Sequence, residues 1–397
     1  MGAYFTTVAL SEGGGAIRTA QALDRIFGTR FAAELRRRAV REFPGHFIRR
    51  FPYWDIPRTL LSRMNIQEHV VDRVHHSSLR ALDRHVARNL DGFAGVYAVN
   101  LAAKAAFSAA KQRRMACIYE VIALEIRSYI QMLRREFETH PALFPGGTPQ
   151  TPDAEQHIRR CDAEWALADV VIVNSNLTRD TYAAAGFDTG KVRVIPLGFP
   201  PVGPEEPIQP PEPSKPLHVL WAGNFSVSKG AHYLLAALKS PALRKNLRVT
   251  VFGKQLLPAA AIASFEDVIE FHGTVPHTQL FAIYRRADLL ILPTLSDGFA
   301  MVVSEAMSQG LPVITTDWAG AAQFIAPGEN GLLVPARDSE ALAEALSSCA
   351  AHPERLRTMG AAARQTALRW QWSDYRRAVA ASVIDCLQAQ AQRSTPG

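Results

Sequence analysis

Short apolar strands that alternate with loops and helices limit most strongly how this chain can fold. Segments 217–222, 247–252, 268–271, 289–292, 313–315 and 332–334 each read as a strand followed by a loop and a helical stretch. Strands apolar along their whole length are buried on both faces, and parallel neighbours need a crossover helix, so the pattern predicts a parallel sheet covered on both sides. The first 200 residues repeat the theme. Residues 3–10 read as a strand, 11–15 as a glycine-rich loop and 16–27 as a helix; further strands are predicted at 95–99, 115–119, 170–173 and 192–195. The insert 32–89 reads as helical. Helices at 339–350, 353–369 and 373–390 close the chain.

Nine prolines fall between Pro196 and Pro216, including the PPEP run at 210–213. Such a segment is stiff, extended and unfit for a sheet interior, which makes it the expected interdomain linker. Two doubly wound α/β halves on either side would face each other across a cleft at their strand C-termini, where open α/β sheets bind ligands. The boundaries read from this are 1–198, a linker at 199–216, a second domain at 217–372, and a helix at 373–397 crossing back to the first domain. A chain of 397 residues with 48% apolar content can bury cores of that size. The four cysteines are scattered without a C-x-x-C pair, against a zinc cage or disulfide framework and for a reducing compartment. No signal-like segment opens the sequence and no apolar run approaches the roughly 18 residues that span a bilayer, so the expected location is cytoplasmic.

Charge is unevenly distributed. Residues 1–150 carry 22 Lys/Arg against 13 Asp/Glu, a net +9 that leaves −2 for the remainder. Arg36, Arg37, Arg38, Arg41, Arg49 and Arg50 are interleaved with Phe43, Phe47, Phe51, Tyr53 and Trp54. This mixture suits peripheral contact with an anionic membrane or an acidic acceptor; it equally suits a solvated helix face whose aromatics lie in the core. No nucleic-acid-binding motif accompanies it.

The stretch LPTLSDGFAMVVSEAMSQGLPVIT, residues 292–315, reads as a strand ending at Pro293, a polar loop, a helix over 299–309 and a stop at Gly310. A loop delivered onto a helix N-terminus favours an anion, through its free N–H groups and the helix dipole. Asp297 in that loop and Glu305 in the helix can accept hydrogen bonds from hydroxyls. Phosphate and hydroxyls together suggest a sugar nucleotide. Three other loops are candidates. SEGGGAIRTA at 11–20 permits close backbone approach at Gly14 and Gly15, or simply makes a tight turn; it is not G-x-G-x-x-G. WAGNFSVSKG at 221–230 ends a strand at Gly223, continues in a polar loop from Asn224 and places Lys229 before a helix, where it can meet a diphosphate, although lysine before glycine is also an ordinary surface pair. In EFHGTVPH at 270–277, Gly273 and Thr274 either line a base pocket or form a plain strand-to-helix turn.

Together these strings resemble the retaining GT-B glycosyltransferases of the group 1, glycogen-synthase-like type. SDGFAMVVSEAMSQGLPVI is similar to that family's E-x7-E segment, GNFSVSKG to its G-R-x-x-x-x-K-G loop, ADVVIVNSNLTRDTY and KVRVIPLGF to the end of its first domain, and GENGLLVPARDSEALAEAL to the segment after its last strands. The likeness covers about 162–372 well and the first 150 residues loosely. It implies a GT-B fold with acceptor-binding and nucleotide-sugar-binding Rossmann-like domains. By the same resemblance Lys229 would neutralise a UDP- or GDP-sugar diphosphate, Glu305 would bind the ribose hydroxyls and Asp297 the transferred sugar. Backbone N–H groups of Gly298, Phe299, Ala300, Met301 and Val302 would hold the phosphates, with Gly14 and Gly15 approaching from the first domain. No metal or cofactor is implied, and the chain contains no D-x-D. The acceptor class suggested by the basic first domain, rather than by the resemblance, is a glycan or lipid-linked acceptor of surface polysaccharide or glycolipid synthesis, with the protein peripheral at the inner face of the membrane.

Four positions depart from the family pattern. Asn224 stands for an arginine, Asp297 and Ala300 replace glutamate and glycine of E-G-F-G, and Glu120 occupies a strand end where a histidine is usual. Glu120 either orients the acceptor hydroxyl or is a surface acid paired with Arg127. The histidines at 69, 75, 76 and 85 lie on helices without a metal-ligand pattern. Two alternatives accompany the enzyme reading: a non-catalytic GT-B subunit that supports an active transferase, and a sugar-nucleotide epimerase, which lacks the acid/base set it needs.

Overall fold

The computed structural model describes residues 4–6, 48–50, 68–149, 154–203 and 216–394. It contains two compact units: Met1–Glu120 with Pro152–Val171 and Ile384–Gly397, and Val121–Thr151 with Ile172–Val383. The glycine loop with Gly14 and Gly15, the arginines at 36–41, the aromatics at 43, 47, 51, 53 and 54, and the PPEP run lie outside the described residues.

In the smaller unit β1 (Tyr4–Thr6) pairs in parallel with β2 (Ile48–Arg50). The strand β2 corrects the helical reading of 32–89, which holds for Glu68–Ala87. A three-residue strand leaves no periodicity of its own, and its conformation is set by pairing with β1 rather than by propensity. A four-stranded sheet takes the order β3 (Gly95–Val99), β4 (Ala116–Val121), β5 (Val170–Val173), β6 (Val192–Val194); β3 and β4 as far as Glu120 are counted with the smaller unit, β6 with the larger one. β3 and β4 run parallel, with Gly95 opposite Ala116 and Val99 opposite Glu120.

The helix Lys104–Gln112 has Ala103 at its N-cap, a residue with no side-chain acceptor. Its first N–H groups are satisfied from elsewhere. The fully buried Glu164 carboxylate accepts from the N–H of Leu101 (2.8 Å), Ala103 (3.0 Å) and Lys104 (3.1 Å) and from the Tyr119 hydroxyl (2.8 Å), and forms an ion pair with Arg160, whose Nε lies 2.8 Å away and donates to Leu101 O. Asp83 accepts from Ala105 and Ala106 N–H at 2.8 Å each and from Arg160. Two acidic side chains from neighbouring helices therefore do the work of a cap and meet the positive end of the helix dipole.

The larger unit is organised by a six-stranded sheet in the order β12-β11-β10-β7-β8-β9, formed by β7 (Leu217–Ala222), β8 (Leu247–Phe252), β9 (Ile269–Gly273), β10 (Leu289–Leu292), β11 (Val313–Thr316) and β12 (Leu332–Val334). Every pair is parallel. Successive residues point to opposite faces, so Val219, Trp221, Leu289 and Ile291 join one core while Leu220, Ala222, Leu290 and Leu292 join the other. All four residues of β10 are buried, as expected for a central strand covered on both sides.

From residue 95 onward the expected strands end within two residues of those observed; of the strand expected at 3–10, Tyr4–Thr6 is described as a strand and residues 7–10 lie outside the described residues. One boundary differs instructively. The helix expected at 299–309 runs Met301–Ser308, because Ala300 turns left-handed (φ 66°) immediately before it. Among the described residues no helix is long and apolar enough to cross a membrane. All four cysteines are free and buried.

Candidate donor site

Across the large sheet the connections change direction between β7 and β10: β8 and β9 extend one way from β7, β10 to β12 the other. Loops leaving the C-terminal ends of two such neighbours part, and ligands of open α/β sheets bind there. The loop after β7 carries Lys229 and the loop after β10 carries Asp297. They are joined through the backbone, Leu295 N–H donating to Ser228 O at 2.9 Å. Gly230, beside Lys229, has φ 74°, and a Cβ there would lie 1.8 Å from Pro293 O. Only glycine brings the lysine this close to the β10 loop.

Lys229 Nζ donates to Asp297 Oδ2 in a half-buried ion pair. The other oxygen, Oδ1, accepts from Ala300 N–H at 2.6 Å and from Phe299 N–H at 3.2 Å. Two of the N–H groups expected to face a phosphate are thus held by the Asp297 carboxylate. Met301 and Val302 begin the helix Met301–Ser308, and their N–H groups have no acceptor among the described residues. Met301 is also well exposed. The arrangement offers one ammonium and a helix start to an anion, with a carboxylate already sharing the same donors.

Close packing fixes the loop's shape. A Cβ on Gly298 would lie 2.5 Å from Ile122 O, and one on Gly320 would lie 1.9 Å from Gly298 O. Gly298 O itself accepts from the buried Ser175 hydroxyl at 2.7 Å. Asp297 N–H donates to Trp318 O (3.1 Å), and Gly320 N–H donates back to Asp297 O (3.0 Å).

Glu305 lies in the same helix and is 4% exposed. Its Oε1 accepts from His277 Nε2 at 2.8 Å and its Oε2 from the Tyr284 hydroxyl at 2.8 Å. Burial and the Glu305 charge hold the Tyr284 hydroxyl well above its ordinary range, so it remains a donor. His277 is exposed and sits on the open side of the pair. Neither residue is singled out by the sequence motifs. The signal that finds them is an acid embedded in an apolar helix, which needs buried donors, and a His/Tyr pair seven residues apart on one helix face just upstream.

The remaining candidates are more dispersed. Gly223 follows β7 with φ 114°, and Asn224 beside it is exposed. Gly273 ends the edge strand β9 with φ 67°, followed by exposed Thr274. Phe299 and Ala300 are buried at the side chain and present backbone only. Glu120 stands at the end of β4 in the other compact unit, and Arg127 pairs with Glu125 at 2.6 Å.

Residues 216–352 match the family model described as Glycosyl transferases group 1. The chain is 30% identical over 235 residues to a D-inositol 3-phosphate glycosyltransferase of Streptomyces griseus, covering 55% of this chain and 49% of that protein. A protein with the same description from Xylanimonas cellulosilytica is 27% identical over 282 residues, 64% of each chain. This chain thus spans about half the length of the first relative and under two thirds of the second. Among solved structures, HepE of Anabaena in complex with UDP aligns over 97% of this chain and all of its own, with TM-score 0.61 and 20% identity. A sucrose-phosphate synthase from Thermosynechococcus elongatus aligns over 82% of this chain and 81% of its own, with TM-score 0.59 and 22% identity. These likenesses establish the fold as GT-B.

Proposed function

We propose that this chain, whose residues 216–352 carry the group 1 glycosyl transferase match, moves a sugar from a UDP- or GDP-sugar to a glycan or lipid-linked acceptor with retention of configuration. The observation that carries the reading is Lys229 paired with Asp297 beside the free N–H groups of Met301 and Val302, at the point where the sheet's connections reverse. The UDP bound in HepE and the glycosyltransferase relatives support a nucleotide-sugar donor.

In this mechanism the diphosphate takes Lys229 and the helix N-terminus, and Asp297 exchanges its lysine partner for hydroxyls of the transferred sugar. Negative charge grows on the diphosphate as the bond from its oxygen to the anomeric carbon breaks; a fixed ammonium and aligned N–H groups stabilise it. The acceptor oxygen bonds to that carbon on the same face, and its proton passes to the departing phosphate oxygen. Nucleoside diphosphate and glycoside are the products. Glu305, held by Tyr284 and His277, receives the ribose hydroxyls. Gly223, Asn224, Gly273 and Thr274 border the donor; the family resemblance alone assigns Gly14 and Gly15 to the donor and leaves Glu120 as the candidate that orients the acceptor. The reaction needs no metal or cofactor. The enzyme works in the cytoplasm at the inner membrane face, in surface polysaccharide or glycolipid synthesis.

A second reading, a non-catalytic GT-B subunit, is favoured by Asn224 and by the Asp297 carboxylate sharing the phosphate donors. Titration with UDP, GDP and their sugars, followed by an assay of nucleotide release, separates the two. The enzyme reading expects micromolar to millimolar binding, weakened at least tenfold in Lys229→Ala and Glu305→Ala, with turnover in the wild type. No binding by any of these nucleotides would sink it.

A further inference from the structure

A second polar cluster lies in the larger unit, just beyond the Lys229 loop. The helix Ile126–Thr139 supplies Glu136 in its last turn and His140 at its C-cap. The helix Ala231–Ala237, which begins two residues after Lys229, supplies His232 and Tyr233. Glu136 is 1% exposed and His232 is 8% exposed. One Glu136 oxygen, Oε2, receives His232 Nε2 at 2.9 Å and the Tyr233 hydroxyl at 3.0 Å; the other, Oε1, receives Arg337 Nε at 2.7 Å.

This could be a buried ion-pair knot and nothing more, but the nitrogen atoms do not close it. His232 Nδ1 is buried with no hydrogen-bond partner. With Nε2 facing Glu136 Oε2, Nδ1 lies outside the ligand set and stays unpaired with or without an ion. His140 has its ring 4.9 Å from that of His232, and neither of its nitrogens has a hydrogen-bond partner among the described residues. Glu136, His140 and His232 each offer a ligand atom, and the three atoms lie within 4.8 Å of one another.

We propose that Glu136, His140 and His232 bind a zinc-class divalent cation. The donor set is two imidazoles and one carboxylate, which suits zinc rather than calcium or magnesium. Spacing of four residues places Glu136 and His140 on one helix face, one turn apart. Glu136 Oε2 and His232 Nε2, 2.9 Å apart across a shared proton, would open to the roughly 3.3 Å that separates two ligands about 2.0–2.1 Å from a tetrahedral ion. Binding there displaces the proton the pair shares. Arg337 keeps the second carboxylate oxygen and fixes the carboxylate's orientation, as outer partners of zinc ligands do. A water or the Tyr233 hydroxyl completes four-coordination. Half-buried His140 gives the ion its route in. The cation takes no part in sugar transfer; it ties the helix Ile126–Thr139 to the start of the helix that follows Lys229.

The test uses the full chain with any affinity tag removed, stripped with chelator and titrated with ZnCl2 by calorimetry. CoCl2 is added in parallel for its visible absorption. One equivalent of Zn2+ should bind and raise the thermal midpoint, and Co2+ should show the intense bands of a four-coordinate N/O site. His140→Ala removes a half-exposed ligand and should keep its circular dichroism while losing at least tenfold in affinity and the thermal shift. If wild type takes up no stoichiometric Zn2+, or if folded His140→Ala binds it as tightly, the proposal fails. These readouts are independent of glycosyl transfer.

Discussion

Ala300 shows how one residue can carry both the logic and the compromise of the donor site. Its φ of 66° is a conformation that costs an L-residue on the order of 1–2 kcal/mol, yet its N–H is held at 2.6 Å by Asp297. The sequence flagged positions 297 and 300 as departures from E-G-F-G, but not that one residue's side chain holds the other's backbone. Asp followed by Gly is a turn signal whose carboxylate bonds N–H groups two residues on, and that local reading was available beside the sugar-binding one. Glu305 was legible as a site residue, whereas its supports were not, because a motif names the acid and leaves out the donors that let it be buried. Tyr284→Phe should expose the consequence. Losing one of two donors to a buried carboxylate should cost about 1–3 kcal/mol in urea denaturation and weaken UDP binding more than turnover. His277→Ala, on the exposed side of the same carboxylate, should change stability by under about 1 kcal/mol.

At the scale of elements, the helices whose apolar stripe repeats were legible to within a few residues, and those fixed by distant partners were not. Lys104–Gln112 has no capping residue in its own sequence; its start is set by Glu164 and Asp83, which lie 60 residues downstream and 21 upstream of Lys104. Such a cap has no local spelling. Glu164→Ala would leave the N–H groups of Leu101, Ala103 and Lys104 and the Tyr119 hydroxyl without their acceptor, and Arg160 without this ion-pair partner. A loss on the order of 3–5 kcal/mol is expected, read from the urea midpoint, because breaking a buried charged network costs more than its net worth. Glu164→Gln, which keeps one acceptor oxygen, should lose less. The strand β2 belongs to the same class of feature: three residues, no periodicity, and an identity conferred by pairing.

For the whole molecule, the parallel sheet was legible because strands buried on both faces have no polar positions to disguise them. Its strand order was not: nothing in the sequence of β10 says that it returns to the side of β7 rather than beside β9. The scattered cysteines were read as reduced, and all four are free and buried. Burial pushes the Cys117 thiol up to about 12 and the Cys349 thiol up to about 11, and raises that of Cys386. A thiol reagent at pH 8 should therefore label none of the four in the native chain and all four in guanidinium, since the thiolate is the reactive species. The adjacency of β7 and β10 also sets a timetable. Lys229 and Asp297 are 68 residues apart in the chain, and the loop between them contains β8, β9 and their helices. Closing so long an excursion is slow compared with forming the local strand-helix units inside it. Affinity for nucleotide should accordingly appear among the last events of refolding, so that the arrival of the binding signal dates the completion of the sheet.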